Sequence, residues 1–179
     1  MKQKWTLKAV TNFLFRSIPI YYIGFICNIL PNHLYTNKIR GALVSPFLGK
    51  CGRNFQLAQG VIINHPERIF VGNNCYFAHR MYINAEANLY IEDNVTCGPM
   101  CVLATTNHSV RDGVVLDEGS SGAIHIGKGT WCGANVTITS GVTIGRSVIV
   151  GAGSVVTKNI PDNTLSGGIP AKVIKEIHK

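Results

Sequence analysis

The sequence predicts an all-β fold in which short strands coil into a solenoid with six residues per repeat. Between Ile124 and Ile160, an aliphatic residue or a cysteine opens each block of six: Ile126, Cys132, Ile138, Ile144, Val150 and Val156. A helix would repeat its apolar residues about every 3.6 positions and an ordinary strand every second position. A period of six is typical of β-solenoids, in which each repeat buries one side chain inside a prism. The composition agrees, because 19 glycines and 8% aromatic residues suit tight turns and stacked aliphatic side chains.

Residues 1–50 form a basic N-terminal helical leader. They contain no Asp or Glu and hold +7 of the formal net charge of +8 through Lys2, Lys4, Lys8, Arg16, Lys38, Arg40 and Lys50. A helix-compatible segment that includes Trp5 precedes an almost entirely apolar run, Ile18 to Leu30. That run is shorter than the roughly 20 residues that cross a bilayer as a helix, and no signal-peptide cleavage pattern follows it. We therefore expect a helix on an anionic membrane surface, a cap over the first coil, or both.

The repeat region spans residues 51–163 and is interrupted once. The distance from Ile69 to Leu89 is 20 residues, whereas the distance from Leu89 to Ile124 is 35, so 15 residues are extra. They fall in residues 108–123, a segment rich in Gly, Asp and Ser that cannot continue the repeat, and we expect a loop that leaves the prism. Such loops on rigid scaffolds often carry function. Residues 164–179 form a C-terminal closing segment, either a strand or a short helix.

His108 stands where the repeat breaks, and histidine is the natural general base near neutral pH. No spacing of Ser, His and Asp, or of Cys and His, indicates a nucleophile. The six cysteines include no CxxC pair and several occupy repeat positions. We expect free, buried thiols and a reducing compartment, which argues against a covalent intermediate.

Three motifs, WCGANVTI, GAGSVVTK and GGIPAKVI, resemble the C-terminal half of the hexapeptide-repeat acyltransferases. The resemblance covers about residues 51–177 and points to the branch of the galactoside and maltose O-acetyltransferases and of the capsule or lipopolysaccharide O-acetyltransferases. It implies a left-handed parallel β-helix and a homotrimer with active sites between subunits. It also implies acetyl-coenzyme A as co-substrate, no metal, and a saccharide hydroxyl, free or lipid-linked, as acceptor. Surface polysaccharide biosynthesis in the cytoplasm, at the inner face of the membrane, is the expected role; no nucleic acid is expected as a partner.

The resemblance also implies roles for individual residues. His108 matches the catalytic general base, and Asn84 matches a residue that contacts the acceptor. The backbone amide of Ala134 would hydrogen-bond the thioester oxygen. The remaining matches concern the coenzyme: Trp131 beside the acyl channel, Ala152 and Ser154 along the pantetheine arm, and Thr157, Lys158 and Lys172 near the phosphates.

The leader departs from the family pattern, because the galactoside branch supplies a further acidic site residue from its N-terminal segment and residues 1–50 contain none. This departure argues against a small free galactoside or maltose as the acceptor. Two alternatives stay open: an N-acetyltransferase acting on an amino sugar or another small amine, and a non-catalytic β-solenoid scaffold. A zinc site like that of the γ-class carbonic anhydrases is disfavoured, because His79 and His108 lie at different positions of the repeat.

Overall fold

A computed structural model describes residues 6–177. Trp5, the leader residues Lys2 and Lys4, and the last two residues of the C-terminal segment lie outside the described residues.

The N-terminal region is helical. Helix α1 (Leu7–Asn12), a π-helical turn (Phe13–Ser17) and helix α2 (Ile18–Cys27) follow one another without a break. The Thr6 hydroxyl caps α1 by accepting a hydrogen bond from the amide of Ala9 at 3.2 Å. The wider π-helical turn lies directly before Pro19, which lacks an amide proton, and so lets the helix continue.

The helical stretch Leu7–Cys27 is long and apolar enough, by length and composition, to cross a membrane. The apolar run from Ile18 to Leu30 is too short for a span by itself, but the helix begins earlier, at Leu7. Length and composition alone are weak evidence for a membrane span.

Helix α3 (Leu34–Val44) and a 3₁₀ turn (Ser45–Phe47) join the leader to the first coil. The close approach of α3 to this coil requires a glycine: a Cβ atom on Gly41 would lie 2.0 Å from the carbonyl oxygen of Phe55. Val44 and Leu48 join the core of the prism.

The strands follow in five complete coils of three. Coil 1 has β1 (Lys50–Cys51), β2 (Gln56–Leu57) and β3 (Ile62–Asn64), followed by a 3₁₀ turn (Pro66–Arg68). Coil 2 has β4 (Ile69–Val71), β5 (Tyr76–Phe77) and β6 (Tyr82–Asn84); coil 3 has β7 (Leu89–Ile91), β8 (Thr96–Cys97) and β9 (Val102–Ala104). The excursion holds β10 (Ser109–Arg111) and β11 (Val114–Leu116). Coil 4 has β12 (Ile124–Ile126), β13 (Trp131–Cys132) and β14 (Thr137–Ile138); coil 5 has β15 (Thr143–Ile144), β16 (Ile149–Val150) and β17 (Val155–Val156). The chain closes with β18 (Thr164–Gly168) and β19 (Ala171–Glu176).

Stacked coils form three walls of a prism. Wall A contains β1, β4, β7, β12 and β15; wall B contains β2, β5, β8, β13, β16, β18 and β19; wall C contains β3, β6, β9, β14 and β17. All pairings within the walls are parallel except β18 with β19. The predicted left-handed parallel β-helix is confirmed.

The six-residue repeat marks the inward positions correctly. Leu103 pairs with Ile83 on one side and with Ile138 on the other, and all three side chains are fully buried. The strands of each wall therefore bury side chains at matching positions and stack them from coil to coil. The pairing of Leu103 with Ile138 shows that the extra residues leave the prism without disturbing its register.

The excursion is a folded β-hairpin rather than an irregular loop. Its strands β10 and β11 pair antiparallel, and Asp112 and Gly113 at the turn both have positive φ values, of 51° and 76°. Asp-Gly is a preferred pair for a two-residue hairpin turn of this kind. The prediction of a loop placed the excursion correctly but missed this signal.

Candidate active site

Two hydroxyl groups, of the buried Thr105 and the half-buried Ser140, fix the base of the excursion. The Thr105 hydroxyl accepts from the amide of Ala87 at 2.8 Å and donates to the carbonyl of Asn84 at 3.1 Å. The Ser140 hydroxyl accepts from the amide of Gly122 and donates to the carbonyl of Thr105, both at 2.8 Å. Both ends of the excursion are thus joined to the coils on either side.

His108 lies just before the hairpin and its side chain is exposed. Its Nδ1 atom lies 2.9 Å from the carbonyl oxygen of Leu116 on β11. Because a carbonyl oxygen can only accept, Nδ1 carries the proton, and the lone pair of the neutral ring is at Nε2. The backbone carbonyl of Leu116, rather than a carboxylate, therefore orients the His108 ring.

Asn84 lies on the same edge of the prism as His108, the edge between walls C and A. It ends β6, pairs with Ala104 of β9, and its carbonyl accepts from the amide of Thr105 at 3.1 Å. The structure therefore brings the two predicted catalytic residues to neighbouring coils of one edge.

A cavity of about 770 Å³ lies between this edge and the leader helix. We call it the leader pocket. The leader lines one side of it with Thr6, Lys8, Ala9, Asn12, Phe13, Arg16 and Ser17. Coils 1 and 2 line the other side with Asn64, His65, Glu67, Arg68, Asn84, Glu86 and Asn88. Its lining is rich in amide and charged groups, which suits a ligand with many hydroxyl groups. His108 lies one coil further along the edge.

A charged cluster forms one side of the leader pocket. His65 Nε2 lies 2.7 Å from a carboxylate oxygen of Glu86, and His65 Nδ1 lies 3.8 Å from Glu67. The nearby Glu67 carboxylate raises the pKa of His65, partial burial acts against this rise, and the charge of Glu86 adds to it. Arg68 contacts the same two carboxylates, at 3.8 Å and 3.5 Å. Both acids are therefore already paired with cations.

Three predicted coenzyme residues lie on a different edge. Trp131 projects outward from wall B with 51% of its surface exposed. Ala134 and Ala152 lie on the edge between walls B and C, one coil apart, and the carbonyl of Ala134 accepts from the amide of Gly153 at 2.8 Å. Among the described residues, the amide of Ala134 has no acceptor, so it is available to a bound oxygen.

The remaining predicted residues lie further along the prism. Ser154 is buried; its hydroxyl donates to the carbonyl of Gly151 at 2.6 Å and accepts from the amide of Gly168 at 3.1 Å. Thr157 and Lys158 are exposed on the edge between walls C and A, two coils beyond His108. Lys172 is exposed on β19, where it pairs with Gly167.

One chain does not bring all of these residues together. His108 and Ala134 lie on opposite edges of wall C, and a wall of about five residues is roughly 15 Å wide. A general base and an amide that serve the same carbonyl carbon must both lie within hydrogen-bond reach of it. Within a single chain the candidate site is therefore split into two halves.

The cysteines are free, as predicted, and five of the six are buried. Burial, together with the charge of Cys132, raises the pKa of Cys101 to about 12. The Cys101 thiol also donates to the carbonyl of Gly133 at 3.1 Å. These thiols pack the core and do not supply a nucleophile. Within residues 6–177, no cluster of three or more His, Cys, Asp or Glu side chains is placed to hold a metal ion.

Sequence reasoning did not identify Thr105, Ser140 or the charged cluster. Thr105 and Ser140 are 35 residues apart and meet only because the excursion returns to the prism. The available signal was weak, because only Thr105 lies next to the point in the sequence where the register breaks.

Comparison with known proteins shows the family of the chain. Residues 123–158 match the family described as bacterial transferase hexapeptide (six repeats). The galactoside O-acetyltransferase of Escherichia coli (strain K12) is 34% identical over 150 residues, which cover 82% of this chain and 74% of that protein.

Two solved structures are similar along most of their length. The structure of a galactoside acetyltransferase in complex with coenzyme A has a TM-score of 0.79 and 29% identity, covering 97% of this chain and 86% of that one. The maltose O-acetyltransferase of Clostridium difficile 630 has a TM-score of 0.79 and 28% identity, covering 93% of this chain and 89% of that one.

Proposed function

Because the chain belongs to the hexapeptide-repeat acetyltransferases and is an acetyl-coenzyme A-dependent acyltransferase, we propose that His108 is the general base of acetyl transfer to a saccharide hydroxyl. The observation that carries this proposal is the hydrogen bond from His108 Nδ1 to the carbonyl of Leu116, which leaves Nε2 free to accept a proton. His108 also lies beside Asn84 and the leader pocket, where a saccharide can bind.

In the proposed reaction, Nε2 of His108 takes the proton of the acceptor hydroxyl while the hydroxyl oxygen attacks the thioester carbonyl carbon. The amide of Ala134, which has no acceptor among the described residues, stabilises the oxyanion that forms. The carbon–sulfur bond then breaks, and His108 returns its proton to the departing thiolate. No covalent enzyme intermediate is needed, in agreement with the buried thiols.

We propose that the two halves of the site meet between subunits of a homotrimer. His108 and Asn84 of one subunit would face Trp131, Ala134 and Ala152 of its neighbour. The separation of these groups across wall C supports this arrangement, because neither half is sufficient alone. Thr157, Lys158 and Lys172 would extend the donor site towards the coenzyme phosphates.

We propose that the acceptor binds in the leader pocket, with Asn84 holding the sugar whose hydroxyl faces His108. The carboxylates of Glu67 and Glu86 are already paired, and the leader contributes Lys8 and Asn12 rather than an acid. This difference from the galactoside branch favours a unit of a surface polysaccharide, free or lipid-linked, over a free galactoside. A cytoplasmic location suits both the free cysteines and the donor, and cell fractionation with compartment markers would test it.

A coenzyme-release assay with a panel of acceptors tests the function. The panel should contain galactosides, maltose, amino sugars and lipid-linked oligosaccharides. The His108→Ala variant should lose about 10²- to 10⁴-fold in kcat while it still binds acetyl-coenzyme A. His125→Ala is the matched control, because His125 is exposed on wall A and stacks on Tyr90. A wild-type rate in His108→Ala would refute the proposed base, and transfer to amines alone would refute O-acetylation.

A further inference from the structure

Helix α2 is apolar on both of its sides. Its inner side packs on the core of the prism through Ile20, and Cys27 at the end of the helix is buried as well. Its outer side continues past the helix end as a stripe at positions i, i+1, i+4, i+5 and i+8, which share one helical face. This outer stripe consists of Tyr21, Tyr22, Phe25, Ile26 and Ile29, which are between 58% and 82% exposed. A helix that is apolar all round is normally enclosed, either by protein or by lipid.

The charge around the outer stripe identifies its partner as an anionic lipid surface. Residues 1–50 contain no acidic residue, and Lys8 and Lys38 are exposed beside the apolar helices. Each basic residue close to an anionic membrane adds to binding, and tyrosine side chains favour the lipid–water interface. A second copy of this chain is the poorer partner, because it would bring two basic leaders together.

The contacts of the helix indicate that it lies on the surface rather than crossing the bilayer. At its middle, the Arg16 guanidinium donates to the carbonyls of Phe47 and Leu48, both at 2.9 Å. At its end, the buried Arg40 donates to the carbonyl of Cys27 at 2.9 Å and to that of Leu30 at 2.6 Å. A transmembrane position would break these bonds and expose the buried face of α2. The outer stripe can enter lipid while these bonds stay intact.

We propose that the outer stripe docks the protein on an anionic lipid surface, with α2 lying in the plane of the interface. The apolar side chains enter the boundary between headgroups and acyl chains, and the lysines contact the headgroups. The binding requires no conformational change, since the stripe is already exposed.

Docking also affects the leader pocket, because the same continuous helix forms one side of it through Thr6, Lys8 and Asn12. The pocket therefore opens close to the lipid surface, where a lipid-linked saccharide can reach Asn84. This consequence rests on the proposed function, whereas the lipid binding itself does not.

Vesicle flotation with the full-length protein tests the proposal. Vesicles of phosphatidylcholine with phosphatidylglycerol should bind the protein, vesicles of phosphatidylcholine alone should bind it weakly, and high salt should release it. The double variant Phe25→Ser/Ile26→Ser should lose at least about tenfold in partitioning. Lys38→Gln should lose about fivefold, from the loss of one interfacial charge.

The matched control is Ile174→Ser on β19, a residue that is 64% exposed at the opposite end of the prism, and it should bind vesicles as the wild type does. Circular dichroism melting would confirm that each variant is folded. The double variant should still acetylate a soluble acceptor, which separates a failure of docking from a failure of the proposed function.

Three results would overturn the proposal. If the double variant bound vesicles as well as the wild type does, the outer stripe would not be the lipid-binding surface. Binding that resists both salt and alkaline carbonate would indicate a transmembrane helix. If the wild type bound no lipid and the double variant had a lower mass than the wild type in sedimentation equilibrium, the stripe would be a contact between subunits.

Discussion

At Gly119, the returning end of the excursion packs closely against the backbone of Asn107 and His108. A Cβ atom on Gly119 would lie 1.6 Å from the carbonyl oxygen of Asn107 and 2.9 Å from the Cα atom of His108. Real Cβ atoms essentially never approach other atoms within 3.0 Å, so Gly119→Ala must increase the first separation by about 1.4 Å. Both contacts are with backbone, and neither can be relieved by rotating a side chain. The substitution therefore displaces His108.

A displacement of about 1 Å in a catalytic group costs about 100-fold in rate. We therefore expect Gly119→Ala to lower kcat about 100-fold in the coenzyme-release assay. The KM for acetyl-coenzyme A should change little, because Trp131, Ala134 and Ala152 lie on another edge. The free energy of unfolding should fall by only about 1 kcal/mol or less, since the excursion lies outside the prism core.

Gly24→Ala is the matched control, because a Cβ atom on Gly24 would meet no atom within 4 Å. Its kcat should equal that of the wild type. If Gly119→Ala kept the wild-type kcat, the placement of His108 by the excursion would not matter for catalysis, and the assignment of His108 as the base would lose its structural support.

Three further predictions concern stability and reactivity. Ile138→Ala, which truncates a fully buried residue of wall C, should cost about 2–5 kcal/mol in urea unfolding, and a loss below 1 kcal/mol would contradict the stacked-core interpretation. Glu67 and Glu86 raise the pKa of His65 above its ordinary value of 6.5, so its charge stabilises the fold at lower pH and this contribution is lost as the pH rises through the raised pKa. His65→Asn is a suitable variant, because asparagine tolerates the positive φ of 56° at this position. It should lower the Tm slightly at pH 6 and less at pH 8. An equal loss of Tm at both pH values would point to packing instead. Native protein should resist alkylation at Cys101, whose pKa is about 12, until it is unfolded, as peptide mass mapping would show.

The parts of the fold that depend on local repetition could be predicted, and those that depend on distant contacts could not. The inward positions of each wall repeat from coil to coil, and therefore Leu103, Ile138 and their counterparts recur at a fixed spacing. The excursion was visible as a break in that spacing. Its hairpin was missed although Asp112-Gly113 carries a local turn signal.

The candidate site shows the same division. His108 and Asn84 were found through the repeat and the family motifs. The partner of His108, the carbonyl of Leu116, carries no sequence signal because every residue has a carbonyl group. Thr105 and Ser140 are ordinary residue types whose importance arises only when the excursion closes.

The proposed division of the site across wall C predicts how mixtures of two inactive variants behave. In the proposed homotrimer, a subunit without His108 would still offer an intact donor half, and a subunit with Trp131→Ala would still offer an intact acceptor half. Mixing the two inactive proteins, unfolding them and refolding them together should create some interfaces in which both halves are intact. Activity should then reappear in the mixture although neither parent has it, and separately refolded samples combined afterwards should stay inactive as long as subunits do not exchange. Such complementation would identify the contact between two chains, rather than the single chain, as the unit of catalysis.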